Sequence, residues 1–125
     1  MAGTLTISTL SDGTSSTSST NCIQGSAKAW VNFNSSSGSS CTVNASYNVS
    51  SVTYVAQGFY VVNFTNAFVD QNFVTMCNHR TSTTGGAQSS DAYLNALTNY
   101  SYTNSSVGVF LRTADVVSYQ VVCFR

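Results

Sequence analysis

Apolar and polar residues alternate along much of this chain, and the alternation has the period of a β-strand. Ala27, Ala29, Val31 and Phe33 fall on one side, while Lys28, Trp30 and Asn32 fall on the other. Successive side chains of a strand point to opposite faces, so this pattern predicts a strand with one face to the core. Trp30, on the non-core face, is expected to pack against another strand, a loop or a subunit. Thr42–Val49 repeats the pattern, with Val43, Ala45, Tyr47 and Val49 on one face and Asn44, Ser46 and Asn48 on the other. Val52–Val55 continues it, and Ser50-Ser51 marks a bulge or bend. A tight turn at Ala56-Gln57-Gly58 then leads into Phe59–Phe64, which makes a hairpin.

Shorter segments complete the set. Thr4–Leu10 reads as a first strand through Leu5, Ile7 and Leu10. Ser11–Thr20 is a flexible polar stretch with a turn at Asp12-Gly13. Phe73–Cys77 is the next strand after a turn at Asp70-Gln71-Asn72, and Thr81–Ser90 is a loop. Asp91–Leu97 is the one place where a helical turn is tolerable. Val107–Arg112 and Val116–Phe124 are two strands joined near Thr113-Ala114-Asp115. The second is apolar on both faces, as a central strand would be. About seven or eight short strands follow, and no convincing helix, so the expected fold is all-β, an antiparallel β-sandwich or small barrel. The organisation is an N-terminal arm with its Ser/Thr-rich linker over residues 1–20, then one β domain over residues 21–125.

Composition sharpens this. Ser, Thr and Asn make up 50 of the 125 residues, there is no Pro and no Glu, and charged residues are 6% against roughly 25% in ordinary globular chains. Ser, Thr and Asn compete with helical hydrogen bonds, whereas Thr, Val, Tyr and Phe fit a pleated surface. Net charge is zero, so open sheet edges on this surface invite pairing unless something covers them. The chain is therefore expected to be an oligomer. With no basic stripe to neutralise phosphates, nucleic-acid binding is not expected. Nor is membrane insertion, because no apolar run approaches the ~18 residues of a spanning helix. The start, Met1–Ile7, lacks the basic and apolar regions of a secretory signal.

Little catalytic chemistry is on offer. Four scattered Asp and one His give no paired-carboxylate signature, no G-x-S-x-G elbow surrounds a serine, and Gly85-Gly86 lacks the lysine of a P-loop. The expectation is a non-enzyme without cofactor or metal. Cys22, Cys41, Cys77 and Cys123 show no C-x-x-C spacing and read as free thiols. A Cys22–Cys41 bridge is the alternative in an oxidising environment. Cys77 lies near His79, which reads as exposed or capping beside Arg80.

Contact chemistry is better represented. Tyr93, Tyr100 and Tyr102 lie in an irregular stretch with Asp91, Asn99 and Asn104. Aromatic rings beside carboxamides suit sugars, and β scaffolds carry their sites on loops. The same tyrosines would equally pack a subunit interface or pin a long loop. Tyr93, Tyr100, Tyr102, His79 and Arg80 are the candidate receptor or interface contacts.

Four ordered segments carry a resemblance. Gly25-Ser26-Ala27-Lys28-Ala29-Trp30-Val31-Asn32-Phe33-Asn34 is followed by Ala45-Ser46-Tyr47-Asn48-Val49-Ser50-Ser51-Val52. Then come Tyr60-Val61-Val62-Asn63-Phe64-Thr65-Asn66-Ala67 and the closing Val121-Val122-Cys123-Phe124-Arg125. Together they resemble the β-rich terminal domain of tail-fibre and other virion structural proteins of tailed bacteriophages, especially aquatic and cyanobacterial ones. The resemblance implies a homotrimer made in the bacterial host cytoplasm and carried on the virion. It implies contact with other virion proteins through the N-terminal arm and a host-attachment role, with a host surface glycan as the receptor class. It supplies no catalytic or binding residue, since the matched segments are scaffold strands. Such domains usually end a longer fibre, whereas only Met1–Thr20 precedes this one. That raises capsid decoration as the alternative, and a free carbohydrate-binding module is a third.

Overall fold

A computed structural model describes residues 3–36, 40–56, 58–80, 88–89, 102–110 and 118–125. It is mostly β, with antiparallel sheets and one short helix. Strands β1 (Thr9–Ser11) and β2 (Ser16–Ser18) form a small hairpin, and helix α1 (Ser19–Gly25) follows directly. A five-stranded sheet has the order β4 (Ser40–Tyr47), β3 (Ala27–Ser36), β10 (Ser118–Phe124), β7 (Val74–Arg80), β8 (Gln88–Ser89). A three-stranded sheet has the order β5 (Val49–Ala56), β6 (Phe59–Phe64), β9 (Ser106–Phe110).

Both sheets feed one core. Ala29, Val31 and Phe33 of β3 are buried, as their period predicts, beside Tyr119, Val121 and Cys123 of β10. Tyr60, Val62 and Phe64 of β6 and Val107 and Val109 of β9 supply the other side. Phe33 stacks on Tyr119 at 5.0 Å and meets Tyr60 edge-on at 5.3 Å. The Tyr60 and Tyr119 hydroxyls hydrogen-bond at 3.0 Å, so two phenol groups are buried without stranding either polar end. A second aromatic group closes one end: Phe68 stacks on Phe73 at 4.6 Å, and Phe73 on Tyr102 at 4.2 Å.

Several expectations change. The long alternating run breaks at Asn48, and its two halves enter different sheets. Asn48 takes a positive φ of 54°, a left-handed conformation that Asn tolerates better than most residues. Its amide donates to Lys28 O and Asn66 O, both at 3.1 Å, while its Oδ1 accepts from Asn66 N at 2.8 Å. The corner between the sheets is thus tied at both ends by one side chain. The bulge at Ser50-Ser51 is present, as a register shift between Val49 and Ser51.

Val43, Ala45 and Tyr47 are exposed rather than core: a bulge in β4 leaves Val43 opposite core Phe33 at the open edge and turns Ala45 and Tyr47 to the outer face opposite Asn32 and Trp30. Nor is the polar stretch before residue 20 featureless. Asp12 accepts hydrogen bonds from Ser15 N at 2.7 Å and Thr14 N at 2.9 Å, which closes the β1–β2 turn and holds its carboxyl below the usual range. Among the described residues Thr4–Ile7 pairs with no strand, and the first strand is Thr9–Ser11. The helix that composition argued against forms because Ser18 caps it, accepting from Asn21 N at 3.2 Å. β10 is central to its sheet, as its two apolar faces predict, but β9 pairs with β6 in the other sheet. The predicted helical turn at Asp91–Leu97 lies outside the described residues.

The Asn48 corner makes a direct prediction. Asn48→Ala loses the carboxamide bonds and places an ordinary side chain at positive φ, lowering stability by about 2–4 kcal/mol. Asn48→Gly keeps the backbone freedom and loses less. Urea unfolding of both variants checks the order; equal losses would mean that the positive φ contributes nothing.

Candidate interaction surface

Strand register decides which residues share the outer face of the five-stranded sheet. Tyr47 of β4 lies opposite Trp30 of β3, Trp30 opposite Val122 of β10, and Val122 opposite Met76 of β7. These four make an apolar row across four strands. Phe124 and Val74 pair beside its β10–β7 end. Tyr47 is 59% exposed, Met76 63%, Val74 64% and Trp30 38%. A row of such residues open to water on one sheet face is the kind of patch that marks an interaction site. The neighbouring row starts at Ala45 and is polar from there on, through Asn32, Gln120 and Asn78. There the Asn44 amide donates to Asn32 Oδ1 at 3.1 Å and Asn34 Oδ1 at 3.0 Å, and Ser118 Oγ donates to Asn32 Oδ1 at 3.1 Å. The apolar row therefore has a sharp polar border. At its β4 end the sheet stops in an eight-residue edge strand without a charge or a proline, the kind of edge that pairs readily.

Next to Tyr47 opens a groove of about 500 Å³, lined by Lys28, Tyr47, Asn48, Asn66, Phe68 and Arg125 among others. Lys28 Nζ donates to Ile23 O and to Ser26 Oγ, and Arg125 pairs with Asp70. The Asn72 backbone N–H and then Arg125 hold the Asp70 carboxyl below its usual range.

Of the sequence candidates, Tyr102 and His79 have described side chains. Tyr102 is half-buried, stacked on Phe73, and its hydroxyl donates to Phe73 O. It pins the segment before β9 to the chain that leads into β7. His79 is not exposed: at 7% it lies on the inner face of β7 beside Tyr119, because strand alternation sets it in phase with Cys77. Arg80 ends β7, and its side chain lies outside the described residues, as do Tyr93 and Tyr100. Sequence reasoning placed Tyr47 on a core face and so missed the outer row. The available signal was that Trp30 and Val122 alternate with core residues, Val122 on a strand apolar on both sides.

All four cysteines are free thiols. Burial, with Cys123 nearby, pushes the Cys77 thiol up to about 12, and burial also raises Cys123 and Cys41. Among the described residues no group of three or more His, Cys, Asp or Glu side chains is placed to hold a metal ion. No described helix is long and apolar enough to cross a membrane. Comparison with family models, curated proteins and solved structures finds no match to this chain.

Thiol reactivity follows from the burial pattern, since the thiolate is the reacting form. With an aromatic disulfide reagent near neutral pH, Cys22 and Cys41 react in the native protein, while Cys77 and Cys123 wait for denaturant. Four thiols reacting together in the native state would contradict the buried placement of the last two.

Proposed function

We propose that this chain is a non-enzymatic virion structural protein of a tailed bacteriophage: a homotrimeric β-sandwich at a tail fibre or tail tip, with a role in host attachment. The observation that carries the assembly part is the uncovered row Tyr47–Trp30–Val122–Met76, on a chain without net charge and ending in a neutral sheet edge. An apolar row on such a surface makes sense when other subunits cover it. The four resembling segments carry the virion part, and they map onto β3, the β4–β5 corner, β6 and β10. These strands bury the core and build the corner, so the resemblance concerns the scaffold.

The groove favours a glycan as the attachment partner. It sets a tyrosine ring, carboxamides and two cationic side chains beside one another, and sugars with an acidic substituent are recognised by that combination. Arg125→Ala would weaken such binding several-fold and leave assembly intact.

Placement is tested by quantitative mass spectrometry of purified particles together with immunogold labelling. A few to a few dozen copies on the tail are expected. Hundreds of copies over the head would replace the tail reading with capsid decoration, and absence from particles would overturn both.

A further inference from the structure

Among the described residues the outer row is the broadest uncovered run of apolar side chains on a sheet face, and it has an apolar counterpart. That counterpart is the segment before and within β1. Leu5 is 81% exposed, Ile7 39% and Leu10 54%, and no residue from Gly3 to Ser11 is charged. The arm and the face are open to water at the same time, so within one molecule neither covers the other. We propose that the N-terminal segment Leu5–Leu10 of one copy lies across the Tyr47–Trp30–Val122–Met76 row of a second copy.

The dimensions agree. Three inter-strand spacings separate β4 from β7, about 14 Å at 4.7–4.9 Å each. Five residue steps from Leu5 to Leu10 reach at most about 17 Å, with a bend at Ser8. The chemistry agrees as well: the row and the arm are uncharged, and Lys28 beside the row already donates to Ile23 O and Ser26 Oγ, so joining them buries no unpartnered charge. Every copy brings one arm and one face, so all copies are satisfied in any closed cyclic assembly; the three-fold ring of the proposed trimer is one, and a reciprocal two-fold exchange is another. The inference rests on the assembly part of the proposed function and is independent of the virion part.

Two full-length variants separate this contact from the alternatives. The arm variant carries Leu5→Asp, Ile7→Asp and Leu10→Asp, all exposed positions, and keeps its face. The face variant carries Trp30→Ser and Met76→Asp and keeps its arm. Trp30 is the single tryptophan, so the face variant is dark and Trp30 of the arm variant reports alone. Each variant alone is expected to sediment as a monomer. On mixing, Trp30 emission shifts to the blue and becomes shielded from a soluble quencher, because the intact arm meets the intact face.

An arm variant that still assembles would mean that faces pair with faces, and a face variant that still assembles would mean that arms pair with arms. Either result overturns the proposal while leaving an oligomer in place. Wild-type protein that stays monomeric overturns it together with the assembly reading. Should the face variant fail to fold, a peptide of residues 3–11 is titrated into the arm variant instead. A saturable blue shift of Trp30 supports the contact, and an unchanged spectrum overturns it.

Discussion

Eight formal charges in 125 residues oblige this chain to hold its strands, its corners and its surface with neutral polar groups, and the rest of the structure follows from that constraint. Asn48 ties the two sheets at their corner. Asn44 laces β4 to β3, and the Asn63 amide donates to Ser51 Oγ and Thr53 Oγ1 across β6 and β5, both at 3.1 Å. Inside, the Tyr60 and Tyr119 hydroxyls satisfy each other where the sheets meet. Neutral hydrogen bonds of this kind contribute about 1 kcal/mol each and avoid the desolvation penalty of a buried ion pair. They also leave the surface without the charge repulsion that keeps ordinary domains apart.

That consequence links fold to function. On a highly charged protein, an apolar row on one sheet face would be flanked by residues that keep neighbours away. Here it is bordered by Asn32, Gln120 and Asn78 and ends at a neutral edge strand. Carboxamides and hydroxyls permit close approach and can pair across an interface as they pair within the sheet. On the proposed reading, assembly covers this surface, and the exposed arm is the partner we propose for it.

The sequence made the scaffold legible wherever one strand face had to be buried. The Ala27–Phe33 alternation, the Phe59–Phe64 strand and the two-faced final strand could all be read because period two and burial coincide. The same rule misled at Val43, Ala45 and Tyr47. A bulge in β4 breaks the phase, so Val43 faces the core side at an open edge while Ala45 and Tyr47 turn outward. Asn48 was hidden because its role depends on φ and on Lys28 and Asn66, which are distant in sequence. His79 was misread for the opposite reason. A lone His beside Arg80 looks like a strand end, yet its phase with Cys77 already pointed it inward. The short helix owes its existence to one cap, Ser18, in a stretch where serines are too common to single one out. Of the candidate contacts, Tyr102 joins the structural aromatic cluster, and the described residues add an exposed surface at Trp30 and Tyr47.

Trp30 makes the central claim, that this sheet face is covered by assembly, directly measurable. Its emission and its access to a soluble quencher are followed while the wild-type protein is diluted from micromolar to nanomolar concentration. The account predicts blue, protected emission at the high end and a cooperative shift to red, quenchable emission as subunits separate. Quencher access that is high and constant over the whole range would contradict it.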